Sequence, residues 1–191
     1  MSPSPQPLSP IRTAFVDRDG VLNRKMPEGQ YVTRWEQFEV LPGVVEAVGK
    51  LNRAGMRVVV VTNQRGVALG RLTQADLESL HARLATVLQA AGAQVHAILY
   101  CPHEKDTCNC RKPLPGMFEQ AQRLFPGTEA STSVMIGDSL SDIRFGSNLG
   151  MQTIFIQGDP TRQGPGAVEA ATLANHRAAS LLEAVELLLQ G

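Results

Sequence analysis

At 191 residues, 43% of them hydrophobic, the chain has enough apolar material for one domain whose core needs no disulfide support. Its 18 Lys and Arg are balanced by 18 Asp and Glu, so no global basic field draws it to nucleic acid or to an anionic membrane. No apolar run reaches membrane-spanning length, and the Pro- and Ser-rich opening Met1–Pro10 has neither a basic start nor an apolar h-region. The expectation is a soluble, cytoplasmic protein with no membrane partner, a disordered tail over residues 1–10 and one domain over residues 11–191.

The apolar run Thr13–Val16 reads as a short buried strand, closed by Asp17-Arg-Asp19-Gly20. Two carboxylates at the carboxyl end of such a strand can bind a hard cation or attack phosphorus; alone, they are as readily a polar turn. A helix over Gly43–Ala54 follows, apolar at Val44, Val45, Val48 and Leu51, with Gly55 placed to end it. After a strand at Arg57–Thr62, a helix spans Thr73–Ala91, with Thr73 as N-cap and Asp76 at the capping-box position. Further strands fall at Gln94–Tyr100, Ser133–Ile136 and Gln152–Ile156, and helices at Met117–Leu124, Ser141–Leu149 and about Ser180–Gln190. Gly158–Gly166 reads as a surface loop. His81 falls in a helix, His96 in a strand and His176 near a loop, and each takes a structural or surface role. The alternation predicts an α/β fold, a Rossmann-like doubly wound parallel sheet with helices on both faces.

Four polar segments follow the first four strands: Asp17 and Asp19; Thr62-Asn63-Gln64; Arg111-Lys112-Pro113; and Gly137-Asp138-Ser139-Leu-Ser-Asp142. In a doubly wound sheet these loops meet at one edge. Phosphoryl transfer spreads negative charge over the equatorial oxygens, so its site needs cations and hydrogen-bond donors. Lys112, Thr62 and a carboxylate-held Mg²⁺ meet that need. Taken singly, Thr62 could bond its own backbone, Arg111 and Lys112 could be solvated loop cations, and Asp138 and Asp142 could favour a helix N-terminus. Their joint occurrence in strand-end order carries the argument.

Cys101, His103, Cys108 and Cys110 lie within ten positions, too close for a disulfide framework joining distant segments. Three thiolates and one imidazole make a closed tetrahedral set suited to structural Zn²⁺. Such an ion would pin a long loop and aim Arg111 and Lys112 into the crevice.

Together, Phe15-Val-Asp17-Arg-Asp19-Gly-Val-Leu-Asn23, Val61-Thr62-Asn63-Gln64, Cys101-Pro-His103, Cys108-Asn-Cys110-Arg111-Lys112-Pro113 and Gly137-Asp138-Ser-Leu-Ser-Asp142 resemble the haloacid-dehalogenase superfamily of phosphohydrolases. Within it the match is to the histidinol-phosphatase and heptose-bisphosphate-phosphatase group. Tyr31-Val-Thr-Arg-Trp35-Glu-Gln-Phe38 and Asn63-Gln-Arg-Gly-Val-Ala-Leu-Gly70 are more like the heptose members, whereas the short His103-to-Cys108 connection is closer to the histidinol members.

The resemblance implies Asp17 as nucleophile and Asp19 as general acid and base. It implies Mg²⁺ on Asp17, Asp138 and the main-chain carbonyl of Asp19. Thr62, Asn63 and Lys112 would grip phosphate, with Asp142 orienting Lys112 or a metal-bound water. Asp19 to the second strand leaves room for little beyond a loop and a helix, so no separate cap domain is expected. Substrate selection then falls to Asn23–Glu28, Gln64–Leu69 and the Cys101–Lys112 loop, with Asn23, Gln64, Arg65 and Arg111 as contacts. A sugar bisphosphate suits Arg111, and a monomer is expected. The leading activity is removal of the 7-phosphate of D-glycero-D-manno-heptose 1,7-bisphosphate, with histidinol phosphate as the alternative substrate. A nucleic-acid 3′-phosphatase is disfavoured by the neutral charge, and a silent zinc-stabilised binding module by the presence of both Asp17 and Asp19.

Overall fold

The computed structural model describes residues 11–190; the expected tail over residues 1–10, and Gly191, lie outside them. Six parallel strands are β1 (Thr13–Val16), β2 (Arg57–Asn63), β3 (Ala97–Cys101), β4 (Ser133–Gly137), β5 (Gln152–Ile156) and β6 (His176–Ala178). They form one sheet in the order β3-β2-β1-β4-β5-β6. The helices are α1 (Val44–Arg53), α2 (Gln74–Ala90), α3 (Gly116–Leu124), α4 (Leu140–Leu149), α5 (Ala167–Leu173) and α6 (Leu181–Gln190).

The two-residue period of a strand sends alternate side chains to opposite faces, and both faces are covered. Ala14, Val16, Val58, Val60, Val134 and Ile136 pack with the apolar stripes of α1, α2 and α6. Phe15, Val59, Val61 and Met135 face the other way, against Met117, Phe118 and Ala121 of α3 and Phe145 of α4. Burial on both faces explains why the strands are near-continuous runs of Val, Ile and Phe. The segments between β1 and β2, and between β3 and β4, hold loops, short 3₁₀ turns and one helix each, so no cap domain is present among the described residues. None of the described helices is long and apolar enough to cross a membrane.

The expected capping devices are present. The Thr73 hydroxyl accepts from the Asp76 N–H at 3.1 Å, while the Asp76 carboxylate accepts from the Thr73 N–H at 2.9 Å. Glu183 N–H donates to Ser180 Oγ at 3.2 Å, and its carboxylate reaches one residue further back, to Ala179 N–H.

Differences from expectation lie at edges. β3 begins at Ala97 rather than Gln94, because the His96 ring nitrogen Nδ1 accepts the Val58 N–H at 3.1 Å and takes the place of a ladder bond. His176 sits in β6, paired with Ile154; this edge strand has three residues, two of them exposed, and so no apolar run to signal it. The seven-residue α5 also went unpredicted, since it buries Ala170 alone.

Phe145 is fully buried and meets Phe15 edge-on at 6.4 Å between ring centroids. Phe145→Ala is expected to cost about 3–5 kcal/mol in equilibrium urea unfolding. A loss below about 1 kcal/mol would show this face to be loosely packed.

Candidate active site

The strand order reverses between β1 and β4, and the crevice opens beyond the carboxyl ends of those two strands. Asp17 follows β1 and extends its ladder, donating its N–H to Ile136 O at 2.9 Å. Asp138 follows β4. Two glycines let these chains approach: a Cβ on Gly20 (φ +90) would lie 2.3 Å from Asp138 Oδ2, and one on Gly137 would lie 2.3 Å from Asp142 Cβ.

Lys112 lies at the centre. The residue is 3% exposed, and its ammonium donates to Asp17 Oδ1 at 2.8 Å and Val61 O at 2.6 Å, and meets Asp142 Oδ1 at 2.5 Å. Two of its three N–H donors are thereby in hydrogen bonds, and the Asp142 contact is an ion pair. Burial alone would depress this amine, but the Asp142 and Asp17 carboxylates reverse the effect and lift it to about 12. Asp142 uses its other oxygen to cap α4, accepting from Ser139 N–H at 3.0 Å and Ser139 Oγ at 2.6 Å. It therefore fills both roles open to it from sequence, helix cap and support for Lys112. The main chain of Lys112 is held by the Asn63 amide, which accepts the Lys112 N–H at 3.0 Å and donates to the Lys112 carbonyl at 3.2 Å.

Oxygens of Asp17, Asp138 and Asp142 lie within 4.8 Å of one another. Burial and repulsion from Asp142 and Asp138 push Asp17 up to about 7 against the pull of Lys112. Burial also raises Asp138, to about 6, against the pull of Lys25, whose ammonium is 2.7 Å from Asp138 Oδ2. Asp138 Oδ1 is buried without a hydrogen-bond partner. Crowded hard oxygens with one lone pair unanswered fit a small divalent cation such as Mg²⁺.

Asp19 is held differently. Arg18 grips both its oxygens at 3.0 Å, Asn23 Nδ2 donates to Oδ1 at 3.0 Å, and Gln64 Nε2 donates to Oδ2 at 2.8 Å. Despite burial, the Arg18 charge and these donors hold the carboxyl below its usual range. Asn23 and Gln64, expected at the substrate, are 0% and 3% exposed and turn inward onto Asp19. Gln64 Nε2 also donates to Thr62 Oγ1 at 2.9 Å, which leaves the Thr62 hydroxyl hydrogen for another acceptor. Arg65 pairs with Glu104 at 2.6 Å. Arg111 is half-buried, and its Nη1 has no partner.

Beyond β3, Cys101 Sγ lies 3.5 Å from Cys108 Sγ and 3.8 Å from His103 Nδ1. Cys110 Sγ lies 3.4 Å from Cys108 Sγ and 3.2 Å from His103 Nδ1. A tetrahedral site with metal–sulfur bonds of about 2.3 Å has edges of about 3.8 Å, so the four donors converge at the spacing one ion requires.

Comparison with known proteins agrees with this geometry. A HAD-hydrolase-like family model matches residues 109–184, and a polynucleotide kinase 3 phosphatase model matches residues 13–144. A D-glycero-alpha-D-manno-heptose-1,7-bisphosphate 7-phosphatase of Mycobacterium bovis is 41% identical over 136 residues, 71% of each chain. The chain belongs to the haloacid-dehalogenase-like phosphatase family. A D-glycero-beta-D-manno-heptose-1,7-bisphosphate 7-phosphatase of Pseudomonas aeruginosa is 36% identical, over 75% of this phosphatase and 79% of its own chain. The crystal structure of D,D-heptose 1,7-bisphosphate phosphatase from B. bronchiseptica, complexed with magnesium and phosphate, superposes with a TM-score of 0.83 at 31% identity, covering 94% of this chain and 99% of its own.

Three residues of this phosphatase site were not singled out from sequence. Arg18 had a signal available, since a cation between two aspartates at a strand end is placed to pair with one of them. Lys25 had none, because its partner Asp138 lies 113 positions away. His81, given a structural or surface role, is buried and meets Arg18 Nη1 through Nε2 at 3.0 Å. Burial and the Arg18 charge depress His81 to about 3, so its ring is neutral.

A pH dependence of stability follows. Asp17 and Asp138 hold protons more tightly folded than unfolded, so their own contribution to stability rises as pH falls from about 8 to about 6.5. Below about 6.5 the unfolded chain protonates His81 while the folded chain does not, and this opposes the rise. Cys108, lowered to about 7, opposes it as well once the metal is stripped. The comparison that isolates the carboxylate is therefore with Asp17→Asn: in excess chelator the Tm of the unsubstituted protein minus that of Asp17→Asn should climb as pH falls from about 8 to about 6.5, and a constant difference would contradict the crowding at Asp17.

Proposed function

We propose that this phosphatase is Mg²⁺-dependent, works through an aspartyl-phosphate on Asp17, and removes the 7-phosphate of D-glycero-D-manno-heptose 1,7-bisphosphate. The observation that carries the reading is the seating of Asp17 between Lys112 and Asp138, with Thr62, Asp19 and their supports on the same crevice. Support for the substrate comes from relatives named for heptose bisphosphate at 36% and 41% identity, which favour it over histidinol phosphate.

Asp17 and Asp138, with the main-chain carbonyl of Asp19, would hold Mg²⁺. Bound there, the ion neutralises charge between an anionic nucleophile and an anionic phosphate. Lys112 and the free hydroxyl hydrogen of Thr62 contact the phosphoryl oxygens, and Asn63 fixes the Lys112 main chain. An Asp17 oxygen attacks phosphorus, the bond from phosphorus to the sugar oxygen breaks, and Asp19 delivers a proton to the departing alkoxide. Water then attacks the aspartyl-phosphate, Asp19 takes its proton, and inorganic phosphate leaves with the Asp17 carboxylate restored. Arg111, with an unanswered Nη1, reaches the substrate body or its second phosphate. Arg65, on the same rim through Glu104, contributes to that surface. Every group in this scheme comes from one chain, in keeping with a monomer, and balanced charge gives no field for nucleic acid.

Zn²⁺ on Cys101, His103, Cys108 and Cys110 is the second part of the reading. A closed four-donor set has no position for a reacting water, so its work is to fix the loop that carries Arg111 and Lys112. Thiols held for a metal need a reducing compartment, in keeping with the cytoplasm.

The test is phosphate release with Mg²⁺ across both anomers of the heptose bisphosphate, histidinol phosphate and a 3′-phosphorylated oligonucleotide. A kcat/KM for one heptose anomer higher by about 100-fold or more than for the others is expected, with Asp17→Asn folded and inactive. Preference for histidinol phosphate or the oligonucleotide would overturn the substrate, and turnover by Asp17→Asn would overturn the nucleophile. For the loop, metal analysis of protein purified without chelator should find near-stoichiometric zinc, lost in Cys110→Ser; an absence of zinc would remove this part of the reading.

A further inference from the structure

The stretch Tyr31–Phe38 has no part in the chemistry above, yet it leads directly to Asp19. Trp35 begins a 3₁₀ turn, and Phe38, 6% exposed, stacks on it with centroids 5.1 Å apart and planes 6° from parallel. On the outer side Arg83 of α2 lies over the Trp35 ring at 4.8 Å. On the inner side the Arg18 guanidinium lies over the Phe38 ring at 5.5 Å. A column of four planar groups thus runs from α2 to the acid/base carboxylate.

Arg18 itself is 1% exposed, and it lies among the largest fully buried side chains. Burying a guanidinium is costly unless its donors are matched. Here Nε and Nη2 face Asp19, at 3.4 Å and 3.0 Å, and Nη1 faces the neutral His81 ring at 3.0 Å. For Nη1 to donate, Nε2 of His81 must carry the lone pair, which puts the proton on Nδ1, an atom buried without a partner. A histidine that leaves one ring nitrogen unsatisfied in order to accept from Arg18 indicates that holding this arginine outweighs that cost. Arg18 lies behind Asp19, in contact with His81 and Phe38, while Lys112 and Thr62 serve the phosphoryl oxygens.

We propose that Arg18, clamped by His81 and by the Trp35–Phe38 stack, is a positioning residue that fixes the Asp19 carboxyl for proton delivery to the leaving group. The proposal rests on Asp19 acting as acid and base. An acid held within a few tenths of an ångström of its working position matters in proportion to how much the leaving group needs a proton. A sugar alkoxide needs one, and 4-nitrophenolate scarcely does. A residue that merely supported the fold would slow both alike.

The experiment measures leaving-group release in the first turnover, which isolates attack by Asp17 from the later hydrolysis. Substrates are the best sugar phosphate of the panel and 4-nitrophenyl phosphate. Arg18→Met is expected to slow sugar release by about 100-fold and nitrophenolate release by less than about threefold. Arg18→Lys keeps the charge but loses the fork, and should share most of that loss. His81→Phe leaves Arg18 in place without its acceptor, and should give the same selectivity at about tenfold; it carries the test if the arginine variants do not fold. Equal losses on both substrates, or none, in whichever of these variants folds would overturn the proposal. Asp19→Asn run alongside separates the two readings: if it too treats both leaving groups alike, the assignment of Asp19 fails rather than that of Arg18.

Discussion

Taking Asp17, Asp138 and Asp142 out of water carries a penalty of several kcal/mol per charge, and the Lys112 ammonium between two of them is the contact that makes the arrangement tolerable. The same ammonium also donates to the Val61 carbonyl near the end of β2, so one nitrogen ties together β1, β2 and the cap of α4. Removing one partner from such a cluster leaves an unbalanced buried charge, a loss of about 3–5 kcal/mol. The lysine proposed to grip the phosphate is thus also a structural bond, and on that reading function and stability bear on the same atom.

That concentration of charge is possible because of strand order. With β1 and β4 adjacent at the point where the winding reverses, neither crossover helix covers the strand ends, and four loops distant in sequence share one opening. Lys112 arrives from far beyond β3, and the ladder cannot place it. Its aim depends on the Asn63 amide, which pairs with the Lys112 main chain much as a neighbouring strand would. The Cys101–Cys110 cluster supports the same segment from the outer end.

The parts of the fold that could be read from sequence were those with a strong physical signature. Val58–Val61 and Val134–Ile136 are buried on both faces and so form unbroken apolar runs. Thr73 and Asp76 announced a helix start through the chemistry of capping. β6 and α5 bury little and left little trace. At the site, residues fixed by local geometry, such as Asp17, Asp138 and the cysteines, were visible, because strand ends and close spacing are sequence properties. The inward turn of Asn23 and Gln64 onto Asp19, the pairing of Lys25 with Asp138 and the reach of His81 to Arg18 depend on packing between distant segments. A linear pattern of residue types does not contain them.

Trp35 is the chain's one tryptophan. It lies between the Arg83 guanidinium and the Phe38 ring, two groups removed from the Asp19 carboxylate. An indole sandwiched between a cation and an aromatic face emits according to how closely it is stacked, so the tryptophan emission of this protein, excited apart from its two tyrosines, comes from one place and follows one column. A shift of Arg18 or α2 on ligand entry would alter that emission, which gives the molecule a built-in optical gauge of the surroundings of Asp19 without any added dye.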